Sequence, residues 1–229
     1  MEYRHELKFL VSEADLCQIQ HRLSCFMARD IHQVGEAYTI RSLYFDDLYD
    51  TCLGENYAGV DHRTKYRIRL YNGQTTPLHL EKKEKYRGMT RKVSQSIFPD
   101  DCLCMMAGLP PAAEGPLARE LECRMLTRGL IPKCIVEYDR SAYVEELGNV
   151  RITFDRNIRG AGNVNRFLDP VCEETTRVLP PGQHILEVKF DELLPQYLLQ
   201  AIDLNHLRRT SFSKYAMVRG CIHSEERYL

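Results

Sequence analysis

The sequence lacks a long apolar run, a charge excess of either sign and a glycine-rich phosphate loop, and each absence excludes something. No stretch of the 229 residues approaches the roughly 20 apolar residues that span a bilayer as a helix. Residues 1–15 are mixed in charge and carry no signal-peptide core. No intrinsic membrane segment is therefore expected, and the expected location is cytoplasmic. Lys and Arg number 31 against 32 Asp and Glu, a net charge of -1. That balance disfavours a partner coated through bulk positive charge, so no nucleic acid is expected. Neither GxxxxGK[ST] nor GxGxxG occurs, so any phosphate must be held by side-chain cations. The histidines show no HxH or HExxH spacing and read as structural or exposed. The nine cysteines include no CxxC pair, which excludes a disulfide scaffold and a paired-cysteine zinc site and leaves plain thiols.

What is present is an ordinary globular balance, 44% hydrophobic and 28% charged, long enough for a real core. The most linker-like stretch, residues 108–116, is short and lies between two helical patterns. A single domain over residues 1–229 is expected. A second soft stretch, residues 159–182, reads as a long surface connection.

Alternation is the main signal. In residues 3–11, Arg4, Glu6 and Lys8 fall on one face, with Leu7, Phe9 and Val11 on the other. Ser12-Glu-Ala-Asp15 is a capping box opening a helix with Leu16, Ile19, Leu23, Phe26 and Met27 on one side. A strand is expected over residues 37–46. In Arg63-Thr-Lys-Tyr-Arg-Ile-Arg-Leu-Tyr71 every odd position up to 69 is cationic, and the even positions are Thr, Tyr, Ile and Leu. Asn72-Gly73 signals a hairpin, with the return strand expected only from residue 78. That strand carries His79, Glu81, Lys83 and Lys85 on one face, and residues 90–98, beginning near Arg91 and Lys92, are its partner. A helix is expected around 117–127, then strands at 134–143, 150–155 and 185–190, a helix over about 194–205 and a final helix opened by Ser211-Phe-Ser-Lys-Tyr215.

About eight strands and three or four helices result, most strands bearing ions on one face. A half-buried antiparallel sheet commonly alternates this way for solubility alone. Here Arg and Lys dominate the polar faces, and the apolar faces need cover. A sheet with helices outside and charges inside closes into a barrel whose lumen is cationic. A few carboxylates among those cations suit a phosphate chain with a divalent metal, Arg gripping oxygens in pairs and Glu holding the ion.

Eight segments in order resemble one family: Tyr3–Phe9, Ile40–Asp46, Arg63–Tyr71, Leu80–Lys83, Val136–Arg140, Val150–Asp155, Ile185–Lys189 and Ser211–Tyr215. The chain resembles the polyphosphate-polymerase domain of the vacuolar transporter chaperone (VTC) group of triphosphate tunnel metalloenzymes. The resemblance implies an α+β fold, an eight-stranded antiparallel β-barrel (the triphosphate tunnel) with helices packed outside. It implies a nucleoside triphosphate, ATP being the expected one, whose γ-phosphate passes to a polyphosphate chain with Mn²⁺ or Mg²⁺ as cofactor. By resemblance Lys8, Arg67, Arg69, Lys83, Lys92, Arg140, Arg151, Lys189, Ser213 and Lys214 would bind the phosphates. Arg91 competes with Lys92 for its place. Arg67, Arg69, Arg140, Arg151 and Glu187 would carry catalysis, with Glu187 as the metal ligand. The tunnel superfamily often begins Glu-x-Glu-x-Lys; here Arg4 stands at the first Glu, which favours the polymerase-like branch and weakens Glu6 as a ligand. A triphosphatase on the same fold, with Glu81 as base, and a non-catalytic polyphosphate- or nucleotide-binding module are the alternatives.

Overall fold

The computed structural model of the protein describes residues 3–203 and 207–226, with side chains to residue 223. In chain order the elements are β1 (His5–Ser12), α1 (Glu13–Leu23), β2 (Ala28–Arg29), β3 (Tyr38–Asp46), α2 (Thr51–Tyr57), β4 (Arg63–Tyr71), β5 (Gln74–Tyr86) and β6 (Met89–Ile97). They continue with α3 (Pro99–Met106), α4 (Pro116–Arg128), β7 (Ile131–Glu145), β8 (Val150–Ala161), β9 (Thr176–Arg177), β10 (Gln183–Phe190), α5 (Gln196–Ile202) and α6 (Lys214–Glu226).

Eight strands run in the order β1-β10-β8-β7-β3-β4-β5-β6, every pairing antiparallel, with β2 and β9 as short additions to β7 and β8. The sheet curls until its edges meet: Arg4 and Thr90 exchange backbone hydrogen bonds of 2.9 and 2.8 Å, joining the start of β1 to the start of β6. This is the antiparallel α+β barrel that the alternation predicts.

Period-two patterning fixes which face each residue takes. Outward residues of β4 and β5, among them Tyr66, Ile68, Leu70, Leu78 and Leu80, pack under α3 and α4 through Cys102, Met105, Leu117 and Leu121. Outward residues of β1, β8 and β10 pack under α1 and α5. The Ser12/Asp15 capping box forms as expected, with Asp15 N donating to Ser12 Oγ at 3.2 Å and Ser12 N donating to Asp15 Oδ2 at 2.9 Å. Leu16, Ile19 and Leu23 of α1 are fully buried, each contributing about 1.5–3 kcal/mol of hydrophobic stabilisation. The helix stops at Leu23, so Phe26 is surface-exposed and stands edge-on to Tyr197. α6 packs differently from the other helices: Tyr215, Ala216 and Val218 share a buried cluster with Ile40, Tyr44, Val136 and Tyr138, so its first turns enter the concave side.

Several boundaries differ from expectation. β5 begins at Gln74, so Asn72-Gly73 is itself the whole hairpin loop, both residues at positive φ (51° and 70°) as a type I′ turn requires. Residues 159–182 are not one loop: β8 continues to Ala161, a 3-10 turn at Val164–Leu168 buries Phe167, and β9 pairs with β8. α2 lacks a clear apolar stripe and is held by Asp46, whose carboxylate accepts from the backbone N–H groups of Cys52 and Leu53. The far end of the helix expected over 194–205 lies outside the described residues. The cysteines are free thiols. No helix among the described residues is long and apolar enough to cross a membrane.

Candidate functional site

The concave face encloses a cavity of about 1060 Å³ in which Arg and Lys dominate; Glu6 and Glu187 are the carboxylates among its described lining. Its walls come from inward positions of the strands. β1 supplies Lys8, β4 Arg67 and Arg69, β5 Lys83, β6 Lys92, β7 Arg140, β8 Arg151, and β10 Glu187 and Lys189, while Ser213 and Lys214 arrive with the start of α6. The structure thus places all of these residues in the lining of one cavity, whereas Glu81, the candidate base, is buried and not among its described lining. Arg91 and Lys92 both line the cavity; by register Lys92 faces Lys83 on the inner side, whereas Arg91 faces Glu84 and pairs with it at 2.5 Å.

Most of these cations are tied to a carboxylate. Glu187 lies 2.9 Å from Lys214, 3.3 Å from Arg140, 3.4 Å from Lys189 and 3.5 Å from Lys8. Behind it Asp155, fully buried, accepts two hydrogen bonds from Arg140 (2.6 and 2.7 Å) and an ion pair from Lys214 at 2.5 Å. Arg140 does not pair with its neighbour Asp139, because alternation turns Asp139 to the other face, where it accepts from Thr39 and Asn157. Glu81 accepts from Arg67 at 2.8 Å and Lys92 at 2.8 Å, with Arg69 at 3.7 Å. Glu6 holds Lys83 at 2.7 Å and Lys8 at 3.4 Å. Arg151 pairs with Asp30.

The electrostatics follow from this packing. Burial alone would raise the pKa of Glu187, but Lys214, Lys8, Lys189 and Arg140 together hold it well below the usual carboxylate range. Glu6 behaves alike, burial opposed by Lys8 and Lys83, and Glu81 is held far down against burial by Arg67, Arg69 and Lys92. Burial, ahead of all else, pushes the Lys83 ammonium down to about 8 and that of Lys65 to about 7. Around Glu187, Glu81 and Glu6 the charge of the cavity is balanced at short range.

Sequence reasoning missed a layer of tyrosines that orient the arginines. Tyr44 OH accepts from Arg67 at 2.8 Å, Tyr138 OH from Arg69 at 3.2 Å and Tyr38 OH from Arg151 at 3.2 Å. Asp155 was also missed as the anchor of Arg140 and Lys214. Strand parity could have found them: Tyr138 and Arg140, and Asp155 and Arg151, share a parity within one strand.

The donor set bears on a metal as follows. Among the described residues no three His, Cys, Asp or Glu side chains cluster as a self-sufficient cation site. Glu187 and Glu6 both line the cavity, and Thr153, across from Glu187 in the β8–β10 register, has a buried Oγ1 with no hydrogen-bond partner. This fits an ion of the Mg²⁺ kind, which takes one or two carboxylates and fills the rest of its shell with water and substrate phosphates.

The sequence profile of the VTC domain family matches residues 3–223. No curated protein matches the sequence. Among solved structures, PH1012 protein from Pyrococcus horikoshii OT3 superposes with a TM-score of 0.51 at 13% identity, covering 94% of this chain and 99% of that one. A provisionally named adenylate cyclase from Bacillus halodurans gives a TM-score of 0.50 at 15% identity, with 89% of each chain covered. Another provisionally named adenylate cyclase, from Vibrio parahaemolyticus, gives 0.50 at 12%, covering 95% of this chain and 98% of that one. At these identities the likeness is one of fold, while the profile spans nearly the whole length: the chain belongs to the VTC domain family.

Proposed function

We propose that the protein is a metal-dependent polyphosphate polymerase, transferring the γ-phosphoryl group of a nucleoside triphosphate, ATP foremost, to the end of a polyphosphate chain. The observation that carries a phosphate-chain substrate is the cavity itself: Lys8, Arg67, Arg69, Lys83, Lys92, Arg140, Arg151, Lys189 and Lys214 converge there from seven strands and α6, most of them balanced by buried carboxylates. Phosphate oxygens are of the kind to take over the contacts those carboxylates now make. Preorganised charge of this kind is the main requirement of phosphoryl transfer.

In the reaction a terminal oxygen of the acceptor chain bonds to the γ-phosphorus, the bond to the β–γ bridging oxygen breaks, and the nucleoside diphosphate leaves with that oxygen. Arg67 and Arg69, held by Tyr44 and Tyr138, and Arg140, held by Asp155, keep the phosphates in line. Arg151 and Lys189 lie opposite each other in the β8–β10 register and grip a neighbouring phosphate. Ser213 offers a hydroxyl and Lys214 an ammonium beside Glu187. Mn²⁺ or Mg²⁺ would be held by Glu187, with Glu6 nearby, and would supply charge neutralisation at the phosphate oxygens.

Polymerase is preferred to triphosphatase on one observation. Hydrolysis needs a base to activate water, and Glu81, the best candidate, is buried and neutralised by Arg67, Arg69 and Lys92, which leaves it a very weak base. An ionised phosphate acceptor needs no base. Incubation with ATP and Mn²⁺, resolved on a gel, tests this: long phosphate chains are expected. Free phosphate alone would identify a triphosphatase, and no metal-dependent turnover would identify a binding module.

A further inference from the structure

The ion pairs of the inner face are unevenly distributed. Along β4 the inward residues are Arg63, Lys65, Arg67 and Arg69, and the opposite positions of β5 are Lys85, Lys83, Glu81 and His79. Arg67, Arg69 and Lys83 have carboxylates within 4 Å. Among the described residues Arg63, Lys65 and Lys85 have none. Arg63 donates to the carbonyl of Val60; Lys65 donates to Asn56 Oδ1 at 2.9 Å and Ser213 Oγ at 3.1 Å and lies over the Tyr215 ring. All three line the cavity, and Arg63 and Lys85 are direct cross-strand partners. Like charges paired across strands repel, and partial burial sharpens the repulsion. Of the acids that act on Lys85, Glu6 is paired with Lys83 and Lys8, and Asp61 accepts from the backbone N–H groups of Arg87 and Gly88. After burial, Arg63 and Lys8 are the main influences lowering the pKa of both Lys65 and Lys85.

We infer that Arg63, Lys65 and Lys85 form a separate subsite for a linear polyanion, holding the phosphates of a polyphosphate chain that extend beyond the three gripped by the balanced part of the tunnel. The inference rests on the phosphate-chain reading above and adds a direction to it: the chain passes the Lys83–Glu6 level and continues between the ends of β4 and β5. Cations left without acids gain most from an anion, because no existing pair must be broken to receive it. Lys65, 3.1 Å from Ser213 Oγ, adjoins the balanced region, whereas Arg63 and Lys85 lie at the far ends of β4 and β5, where a chain longer than a triphosphate would meet them. This subsite therefore makes affinity depend on chain length.

The test is binding of inorganic tripolyphosphate and of a long-chain inorganic polyphosphate to the whole protein, wild type and Arg63→Gln/Lys85→Gln, by calorimetry at two salt concentrations. The double variant is expected to bind the long chain about tenfold more weakly, as for the loss of two partly buried ion pairs. Its salt dependence for the long chain should be shallower, since fewer counter-ions are exchanged. Tripolyphosphate affinity should change by less than about twofold, which also shows that the variant is folded, as relief of repulsion predicts. Equal weakening for both ligands would overturn the separate subsite, as would no change for either. If wild type binds neither ligand, the phosphate-chain reading falls with it; if wild type binds both and the variant matches it, only the subsite falls.

Discussion

At the scale of single residues, Glu187 is an ion-pair centre of the inner face, and under the proposed function it would also hold the metal. It contacts Lys8, Arg140, Lys189 and Lys214 within 3.5 Å, so it balances charge in the protein without phosphate. It also lines the cavity, where under the proposed function it would hold the divalent ion. Glu187→Gln keeps the shape and removes the charge. Turnover of ATP with Mn²⁺ is expected to fall by on the order of a hundredfold, the scale of losing one preorganised electrostatic group. The melting temperature should fall in phosphate-free buffer, and added tripolyphosphate should restore more of it in the variant than in wild type. Full activity with an unchanged Mn²⁺ response would move the metal to Glu6.

At the scale of elements, α6 positions the site most directly, since Lys214 and Tyr215 stand in its first turn. Its seat on the sheet requires a glycine. A Cβ on Gly160 of β8 would lie 2.2 Å from Val218 Cγ1 and 2.5 Å from Cγ2. Valine is stiff at χ1 and cannot swing aside cheaply. Gly160→Ala should therefore lower stability by about 1–3 kcal/mol, the usual cost of overpacking. A urea midpoint shifted down at constant slope would show this, and an unchanged midpoint would mean that α6 is not seated on β8 as described. Because α6 carries Lys214 into contact with Asp155 and Glu187, the same variant should lose affinity for tripolyphosphate.

At the scale of the whole molecule, a chain of net charge -1 concentrates its positive charge on the inside of a barrel. Protons report this. Burial pushes the Lys83 ammonium down to about 8 and that of Lys65 to about 7, below their ordinary 10.5. A lysine with a depressed folded-state pKa binds fewer protons folded than unfolded, so stability should rise as pH climbs from about 7 towards 10.5. Glu6 and Glu187 have the carboxylate pattern: their contribution is complete above their ordinary 4.5 and is lost as pH falls below it towards their depressed values. A bound polyanion raises the lysine pKa values again. Tripolyphosphate binding at pH 8 should therefore take up protons, seen as a binding enthalpy that varies with the ionisation heat of the buffer. A buffer-independent enthalpy would contradict the depressed lysines.

The alternation of residues 63–71 by itself determined that a cationic face existed, because side-chain period and backbone pleat are the same thing in a strand. The Ser12/Asp15 box and the outward leucines of β4 and β5 were equally local, and so were the strands they set. The resemblance supplied the roles expected of Glu187, Lys189, Ser213 and Lys214, whose neighbours in space lie far off in sequence. What only the tertiary structure decided was partnership. Arg140 pairs with Asp155 rather than Asp139, Glu81 serves Arg67, Arg69 and Lys92, and Arg63 faces Lys85 with no acid between them. Those matches depend on register and barrel closure across strands separated by up to the full length of the fold, and no spacing within one segment encodes them. The two-residue turn at Asn72-Gly73 marks the border between the two kinds of information: its residues are local, but the point where β5 begins is set by pairing with β4.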